Sequence, residues 1–358
     1  MSEQYQDLIV SEINTDFGKL GQIVLNKPKA LNAISTVMIE GMQQALDKWR
    51  DDDTIKAVWI EGSGDKAFCA GGDVVMLYHS MKSTPAGEIP EKAAEFFAKE
   101  YRMDETIHTY PKPVIVWGDG IVMGGGIGVM AGASHRIVTE RSMLAMPEVT
   151  IGLYPDVGAS WFLNRMPGQC GEFLGMTGAR MNAADALFVK LADFAVSSSD
   201  YESLRTAISQ TDGSHDAITS VIQQHHSNTG QQDSTLYSHL DRINALMAPT
   251  DMTELVAGFA KLDEADGWLY KSTKGLLRGC PMTLYLVREQ IKRAKYMSLS
   301  EIFAMELIMS IQCVLHPDLA EGVRALLIDK DNKPQWSVGS VAEITPVMVD
   351  EFFQQPQH

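Results

Sequence analysis

Short apolar runs and longer amphipathic segments alternate along the first half of the chain. The runs are rich in β-branched residues and end at polar or glycine-containing stretches, which is typical of buried strands. They predict strands over residues 8–13, 21–25, 55–60 and 113–117, the first two joined by a turn over residues 14–19. After Ser35, apolar positions recur at helical spacing up to Trp49, which predicts a helix with Ser35 as its N-cap. These elements indicate an α/β fold.

The second half of the chain has a different pattern, because helical periodicity dominates it. Helices are predicted over residues 253–262, 266–279, 281–295 and 299–314. Residues 197–234 are instead rich in Ser, Asp and Gln without strong periodicity, which is typical of a linker or a variable insertion. We therefore expect a core over residues 1–196, a polar insertion or linker over 197–235 and a helical region over 236–358.

A predicted helix over residues 91–110 has a mixed face that carries four acidic side chains. Most of these acids are expected to form a solvated stripe rather than a site. The four are Glu95, Glu100, Asp104 and Glu105.

The composition narrows the class of protein. With 358 residues and a hydrophobic content of 45%, the chain can bury the core of an ordinary globular protein. Its net charge of -16 disfavours nucleic acid and anionic membranes as general partners. No apolar run approaches membrane-spanning length, so no membrane partner is expected. The polar start of the sequence, MSEQYQDL, is unlike a signal or transit peptide, which predicts a cytoplasmic location.

Several common catalytic signatures are missing from the sequence. It has no G-x-S-x-G elbow, Walker P-loop, H-E-x-x-H or C-x-x-C pattern, and the His225-His226 pair lacks neighbouring ligand residues. The four cysteines are far apart, which fits a reducing compartment, and Cys69 is interpreted as a small packed residue rather than a nucleophile. No metal site is expected, so any chemistry must depend on backbone amides and carboxylates.

Two loops of small residues lie between a strand and a helix. The first, GSGDKAFCAGGDV, spans residues 62–74, and the second contains Gly124, Gly125 and Gly126 in sequence. Glycine lets the backbone approach a ligand closely, and the amides of a helix's first turn have no intrahelical partners, so these loops are suited to stabilise an oxyanion. The alternatives are a tight turn with close helix packing and, for Asp73, a plain helix N-cap.

The second loop also contains a dinucleotide-type motif. Gly126, Gly128 and Ala131 form G-x-G-x-x-A. These glycines lie several residues beyond the strand rather than at its end, and the helix that follows is very short for a parallel crossover. A dinucleotide site is therefore disfavoured.

Two acids, Glu148 and Asp156, follow the second loop. Taken singly, Glu148 is explained as an acid at the start of a loop or helix and Asp156 as an N-cap beside Pro155. Their order after two loops suited to an oxyanion favours a functional pair instead. Two acids near one site should raise the pKa of one of them.

The loops AFCAGGD and MGGG, the MPE that follows and the earlier NKPKALNAIS resemble, in this order, the crotonase (enoyl-CoA hydratase/isomerase) superfamily. The resemblance covers nearly the whole chain and implies a crotonase (ClpP-like) spiral of ββα units with a C-terminal helical region. In that family two backbone amides bind the oxygen of an acyl-CoA thioester, and by position these resemble Gly72 and Gly125. Gly71, Asp73 and Gly124 beside them are implied to contact the substrate. Members commonly associate through their C-terminal helices, so a homo-oligomer stays an open alternative.

One position departs from the hydratase pattern of that superfamily. Hydratases carry a catalytic Glu two residues beyond the third glycine, and Gly128 stands there in this chain. The segments MPEVTIGLYPDVGASWFL and EGVRALLIDKDNKPQW instead resemble the 3-hydroxyisobutyryl-CoA hydrolase subfamily. That resemblance implies Glu148 and Asp156 as a catalytic pair and, on the shorter match FFAKEY, Glu100 as an acid that contacts the substrate.

The resemblance therefore implies a thioester hydrolase for a short β-hydroxyacyl-CoA, most closely 3-hydroxyisobutyryl-CoA of valine breakdown. CoA would be part of the substrate, and no cofactor is expected. Glu148 would act either as general base or as nucleophile. An enoyl-CoA hydratase or isomerase and a non-catalytic acyl-CoA-binding protein remain alternatives. Lys330 and Lys333 would either be solvated or meet the phosphates of the ligand.

Overall fold

The computed structural model describes residues 6–227 and 233–356. Its strands are β1 (Leu8–Thr15), β2 (Gly18–Leu25), β3 (Ile55–Gly62), β4 (Ala67–Cys69), β5 (Val114–Gly118), β6 (Ile121–Met123), β7 (His135–Val138), β8 (Met143–Ala145) and β9 (Phe194–Ala195). All four predicted strands are present. The turn between β1 and β2 is shorter than predicted, because pairing continues to Thr15 opposite Gly18 and leaves only Asp16 and Phe17 between the strands.

The larger sheet has six strands in the order β1-β2-β3-β5-β7-β9. β1 and β2 form an antiparallel hairpin, and the strands from β2 onward pair in parallel. Ala57, Val58, Trp59 and Ile60 in β3 are all 0% exposed, as expected for a parallel strand that is covered on both faces. A second, smaller sheet has the order β4-β6-β8.

Helices alternate with strands up to β9 and follow one another after it. Their bounds are α1 (Thr36–Arg50), α2 (Val74–Ser83), α3 (Glu91–His108), α4 (Gly125–Gly132), α5 (Ala159–Phe162), α6 (Cys170–Thr177), α7 (Ala183–Phe188), α8 (Tyr201–Ser209), α9 (His215–Gln224), α10 (Thr235–Ser238), α11 (Leu240–Met247), α12 (Met252–Ala260), α13 (Trp268–Arg278), α14 (Pro281–Ala294), α15 (Leu299–Leu315), α16 (Pro317–Val323) and α17 (Pro346–Glu351). Ser35 caps α1 as predicted, since its hydroxyl accepts the Met38 amide at 3.4 Å. The predicted C-terminal helices correspond to α12 to α15.

Short helical turns of other types complete the described elements. The 3-10 helices are Pro28–Ala30, Glu148–Ile151, Leu163–Arg165, Ser198–Asp200, Glu264–Asp266 and Val341–Glu343. A π-helix covers Arg324–Ile328 and directly follows α16. The 3-10 helix Glu148–Ile151 begins at one of the candidate catalytic acids.

The chain forms two compact units, each assembled from three segments. The first unit combines Met1–Gly72, Arg102–Leu144 and Met181–Ser238, and contains the six-stranded sheet. The second combines Asp73–Tyr101, Ala145–Arg180 and His239–His358. The division of the sequence at residues 196 and 235 describes consecutive segments rather than these units, and it stays a prediction.

The polar segment after β9 contains two helices, α8 and α9, so the expectation that it lacks periodicity is wrong. Leu204 and Ile208 in α8, and Ile218 and Ile222 in α9, are each four residues apart and 0% exposed. They pack in one cluster with Trp59 and other side chains of the larger sheet. A few apolar residues at helical spacing therefore seat this segment on the core, although its overall composition is polar.

Two acids of α3 are also buried, against expectation. Glu95 is exposed, but Glu100 is only 2% exposed and Asp104 is 0% exposed. The two lie four residues apart and so share one face of the helix. A polar composition alone did not reveal which face of α3 is covered.

Within the described ranges, no single helix has both the length and the apolar composition of a membrane span. One bent pair, Leu299–Leu315 with Pro317–Ile328, passes that test jointly, at an angle of 75°. α15, the first helix of this pair, has eight buried residues that include Glu306 and Ser310. That burial is also found in core helices that never meet a membrane.

Packing of α8 against the sheet gives a first testable prediction. Ile208→Ala should lower the free energy of unfolding by about 2–5 kcal/mol, because it leaves a cavity in a fully buried cluster. The exposed Thr206→Ala in the same helix should change it by less than about 0.5 kcal/mol. Urea unfolding followed by circular dichroism measures both. Equal and small effects would show that α8 is not part of the cooperative core.

Candidate active site

The two glycine loops begin at neighbouring strands of the smaller sheet. β4 pairs in parallel with β6, with Ala67 opposite Ile121 and Cys69 opposite Val122. Parallel pairing puts the carboxyl ends of both strands at the same edge. The loop after Cys69 and the loop after Met123 therefore leave the sheet side by side.

The two loops pack backbone against backbone. Gly71 has φ +115°, and a methyl group placed on it would lie 3.9 Å from both the Cα of Gly124 and the amide nitrogen of Gly125. A methyl group on Gly126 would lie 2.6 Å from the carbonyl oxygen of Cys69. Close packing is thus a sufficient reason for glycine at Gly126, whereas at Gly71 the left-handed conformation is the reason, since a methyl group there would make only ordinary contacts.

The amide of Gly125 lies in the first turn of α4. Gly124 precedes the helix with φ 49° and ψ -124°, a conformation open to glycine. At this position an amide has no carbonyl of its own helix to bind. In the other loop, the carbonyl of Gly71 accepts the Ile34 amide at 2.9 Å, which fixes the backbone beside Gly72. The structure therefore brings the two loops together, and the use of their amides for an oxyanion stays a prediction.

Two other predicted residues of the first loop have structural roles. Asp73 is the N-cap of α2, and its carboxylate accepts the Met76 amide at 3.2 Å. The thiol of Cys69 is 0% exposed and lies 3.4 Å from the amide nitrogen of Gly71. Asp73 therefore acts as a helix N-cap and Cys69 as a packed residue, which are the structural alternatives given for them from the sequence.

Glu148 is a buried acid at the start of a 3-10 helix. It is 5% exposed, and its Oε2 has no hydrogen-bond partner among the described residues. Burial raises the pKa of Glu148 well above its usual range, and the nearby charge of Asp156 raises it further. An unpartnered buried carboxylate oxygen is costly for folding and available to a ligand or a water molecule.

Asp156 differs from Glu148 because it has a hydrogen-bond donor. It is 4% exposed, and its Oδ2 accepts the Tyr101 hydroxyl at 2.7 Å. Burial raises the pKa of Asp156 to about 6, although the Tyr101 hydrogen bond opposes this. Two interacting buried acids do not both ionise easily, so the pair holds a proton near neutral pH.

The turn after Asp156 is not the predicted start of a helix capped by that residue. Val157 has φ 53°, a conformation that is unusual for a β-branched side chain, and α5 begins only at Ala159. The orphan amides are bound from α15 instead, since the carboxylate of Glu306 accepts the Gly158 amide at 2.7 Å and the Ser160 amide at 2.8 Å. The side chain of Asp156 is therefore free of a capping role.

Glu306 is a functional candidate that the sequence analysis missed. It is 0% exposed, and burial raises its pKa to about 8 even though it accepts two amides. The signal for it in the sequence is an acid at a core-facing position of the apolar helix LSEIFAMELIMSIQCVL. Backbone strain at Val157 and a buried carboxylate beside it mark this turn as one held in place by its surroundings.

The 3-10 helix that carries Glu148 is held by close backbone contact with α16. A methyl group on Gly322 would lie 2.4 Å from the carbonyl carbon of Ile151, and one on Gly152 would lie 2.6 Å from the Asp318 carbonyl oxygen. These distances leave no room for side chains. The start of the C-terminal segment that carries Lys330 and Lys333 therefore packs directly beside a candidate catalytic element.

Glu100 precedes Tyr101 in α3 and is buried, as described above. Unlike the exposed Glu95, Glu100 is therefore not part of a solvated acidic stripe. Contact of Glu100 with substrate stays a prediction.

A family profile described as enoyl-CoA hydratase/isomerase matches residues 20–353. The chain belongs to the enoyl-CoA hydratase/isomerase family. A solved structure, described as a carnitinyl-CoA dehydratase from Mycobacterium thermoresistibile, is 32% identical with a TM-score of 0.87 and covers 98% of this chain and 96% of that chain. The crotonase fold predicted from the motifs is confirmed.

Two relatives in this family are named mitochondrial 3-hydroxyisobutyryl-CoA hydrolase. The protein of Danio rerio is 37% identical over 343 residues, which are 94% of this chain and 87% of that protein. The protein of Gallus gallus is 35% identical over 341 residues, again 94% of this chain and 87% of that protein. The similarity therefore extends over most of both sequences.

Glu306 offers a test of how this family member holds the turn after Asp156. Glu306→Gln replaces one amide acceptor with an NH2 group, so it should lower the free energy of unfolding by about 1–3 kcal/mol. Glu254→Gln, at an exposed position of α12, is the matched control and should have little effect. Urea unfolding at pH 7 measures both. If Glu306→Gln lowers the free energy of unfolding no more than the control does, Glu306 does not stabilise this turn.

Proposed function

We propose that this family member is a thioester hydrolase that cleaves 3-hydroxyisobutyryl-CoA. The observation that carries the proposal is the buried pair of Glu148 and Asp156, in which one acid has an unpartnered oxygen and the other has a hydroxyl donor. The names of the two hydrolases support the choice of substrate. The amides of Gly72 and Gly125 would bind the thioester oxygen, and one such donor is commonly worth ~3 kcal/mol of barrier.

The proposed reaction consumes one water molecule. Water adds its oxygen to the thioester carbon, the C–S bond breaks with its electron pair going to sulfur, and the thiolate takes up a proton to give CoA thiol. The carboxylic acid product loses its remaining proton to solvent. Glu148 either removes a proton from the attacking water or attacks first to form an anhydride that water then opens. Asp156 orients the water or the substrate hydroxyl and manages the proton for sulfur.

A second candidate function is hydration or isomerisation of an enoyl-CoA. It is favoured by the similar structure named as a dehydratase, and by the presence of two acids rather than one. Against it, Gly128 occupies the place where the family resemblance puts a second hydratase carboxylate. A non-catalytic acyl-CoA-binding protein is the third alternative, which would leave Glu148 without a chemical role.

A cavity beside the first glycine loop suits the CoA part of the substrate. It has a volume of about 260 Å³, and its lining includes Lys29, Lys66, Asn32 and Ala67. Both lysines are exposed and carry positive charge toward solvent in a chain of net charge -16. Residues 63–67 line this cavity and lie just before the Cys69 to Gly72 loop in the sequence. We therefore propose that these lysines meet CoA phosphates, in preference to Lys330 and Lys333.

The cellular context is a further part of the proposal. Hydrolysis of 3-hydroxyisobutyryl-CoA would place the protein in valine catabolism. The four cysteines are buried as thiols, which fits a reducing compartment. We propose the cytoplasm, whereas the two animal relatives are named mitochondrial. No cofactor and no metal is invoked in the proposed reaction.

The substrate and the acid pair can be tested together. Parent protein should release thiol from 3-hydroxyisobutyryl-CoA, measured with a thiol reagent, and should hydrate crotonyl-CoA slowly or not at all. Glu148→Gln and Asp156→Asn should each lower the rate of thiol release on the order of 10²–10⁴-fold, because each removes a proton-transfer group. The exposed Glu95→Gln is the matched control.

Two results would contradict the hydrolase. Hydration of crotonyl-CoA without thiol release would favour the hydratase alternative. Binding of CoA esters without turnover, unchanged in Glu148→Gln, would favour the non-catalytic alternative. Circular dichroism of each variant separates loss of activity from loss of fold.

The phosphate-binding lysines give a separate prediction. Lys29→Ala and Lys66→Ala should each raise KM about two- to fivefold with kcat nearly unchanged, as expected for loss of one exposed charge contact. The effect should weaken at high salt. Lys330→Ala serves as the comparison. A rise in KM confined to Lys330→Ala would assign the phosphates to the C-terminal segment instead.

A further inference from the structure

A chain of three buried hydroxyl groups leads away from Asp156. The Tyr101 hydroxyl donates to Asp156 Oδ2 at 2.7 Å and lies 2.5 Å from the Ser310 Oγ. The Ser310 Oγ lies 2.9 Å from the Tyr154 hydroxyl. The Tyr154 hydroxyl in turn donates to the carbonyl oxygen of Glu306 at 2.6 Å. The chain therefore runs from a carboxylate to a backbone carbonyl through three side chains.

The number of protons in this chain depends on the state of Asp156. Each hydroxyl supplies one proton, whereas a carboxylate and a carbonyl supply none. With Asp156 ionised, three protons must serve the four contacts, so one pair of oxygens faces each other without a proton. With Asp156 protonated on Oδ2, every contact has its proton, and all four bonds point from Asp156 toward Glu306.

Burial makes the contact that lacks a proton in the ionised state of Asp156 energetically costly. Tyr154 and Ser310 are 0% exposed, Tyr101 is 3% exposed and Asp156 is 4% exposed. Bulk water therefore does not easily reorganise around the contact that lacks a proton, and an unsatisfied polar contact is costly in a low dielectric. The ionised form of Asp156 bears this cost and the protonated form does not.

We infer that Tyr101, Ser310 and Tyr154 are positioning residues that place the proton shared by the acid pair on Asp156 and leave Glu148 ionised. The inference rests on the proposed function, because it gives the two acids different roles in thioester cleavage. Asp156 is then the proton donor, and Glu148 is the base or nucleophile. Burial raises the pKa of both acids, that of Asp156 to about 6 despite the Tyr101 donor and that of Glu148 well above its usual range. Burial therefore does not decide where the proton lies, and the ground for placing it on Asp156 is the contact without a proton in the hydroxyl chain.

Protons balance when the cycle follows the general-base route. Glu148 takes a proton from water as the water oxygen bonds to the thioester carbon, and the C–S electron pair goes to sulfur. Asp156 gives its proton to that sulfur, which yields CoA thiol. The carboxylic acid product then ionises, and the proton on Glu148 passes to Asp156 to restore the starting state.

Several titratable groups face Asp156 and must be considered in any titration. They come from the 3-10 helix, from α3, from the loop before Asp156 and from α15. Among the described residues they are Glu148, Tyr101, Tyr154, Glu306 and Cys313. Burial raises the pKa of both tyrosines and of Cys313 well above their usual range, so the three acids are the groups to follow in the titration.

The parent protein without substrate provides the first test. Nuclear magnetic resonance of protein labelled with ¹³C at aspartate and glutamate carboxyl carbons follows each titration, with Asp156→Asn and Glu148→Gln assigning the two signals. The inference expects Asp156 to lose its proton at a higher pH than Glu148. The reverse order would overturn it, and this result does not require any variant of the hydroxyl chain to fold.

Variants of the hydroxyl chain give opposite shifts. Ser310→Ala or Tyr154→Phe removes the contact that lacks a proton, so the ionised form is relieved and the pKa of Asp156 should fall by about one pH unit. Tyr101→Phe removes the donor to the carboxylate, so that pKa should rise. Tyr296→Phe, at a tyrosine that is 88% exposed, is the matched control. Absent or uniform shifts among the three chain variants would overturn the inference.

The pH profile of thiol release is a separate readout. The alkaline limb of kcat/KM should move down by about one pH unit in Ser310→Ala, in step with the titration of Asp156. An unmoved limb alongside a shifted titration would overturn the donor role of Asp156. If the parent releases no thiol, the proposed function fails, while the titrations still decide where the proton lies.

Discussion

The carboxylate of Glu306 binds two backbone amides in the turn that follows Asp156, from a position 148 residues beyond Gly158. That turn has a left-handed Val157 and no side-chain cap of its own. Taking a carboxylate out of water is costly unless hydrogen bonds compensate, so the contact ties the fold of α15 to the direction of Asp156. The geometry of the acid pair therefore depends on an interaction that is remote in sequence.

A different constraint shapes the two glycine loops of the first unit. There the controlling quantity is distance between backbones, since a methyl group on Gly126 would come within 2.6 Å of the Cys69 carbonyl oxygen. Glycine permits this approach and leaves the first-turn amide of Gly125 uncovered by a side chain. Close backbone packing and oxyanion binding would thus both favour glycine. This explains why the sequence motif fits both a structural and a catalytic interpretation.

The two acids are chemically unequal although both are buried. Glu148 has an oxygen without a hydrogen-bond partner in the described structure, while Asp156 binds a tyrosine hydroxyl that continues into a chain of hydroxyls. Burial raises the pKa of both, so the pair shares a proton near neutral pH. Unequal surroundings of this kind would let one acid serve as base and the other as proton donor in the proposed reaction.

The strands and the main helices could be predicted from the sequence because they depend on local periodicity. The crotonase fold followed from a family resemblance that contiguous motifs carry, and the order of glycine loops and acids is part of those motifs. The folded structure was needed to show that α8 and α9 belong to the core and that Glu100 and Asp104 are buried. It was also needed to show that Glu306 rather than Asp156 binds the amides of Gly158 and Ser160. Each of these depends on which distant residues meet. Burial and hydrogen-bond partners are properties of the folded neighbourhood, so no local pattern of side chains could supply them.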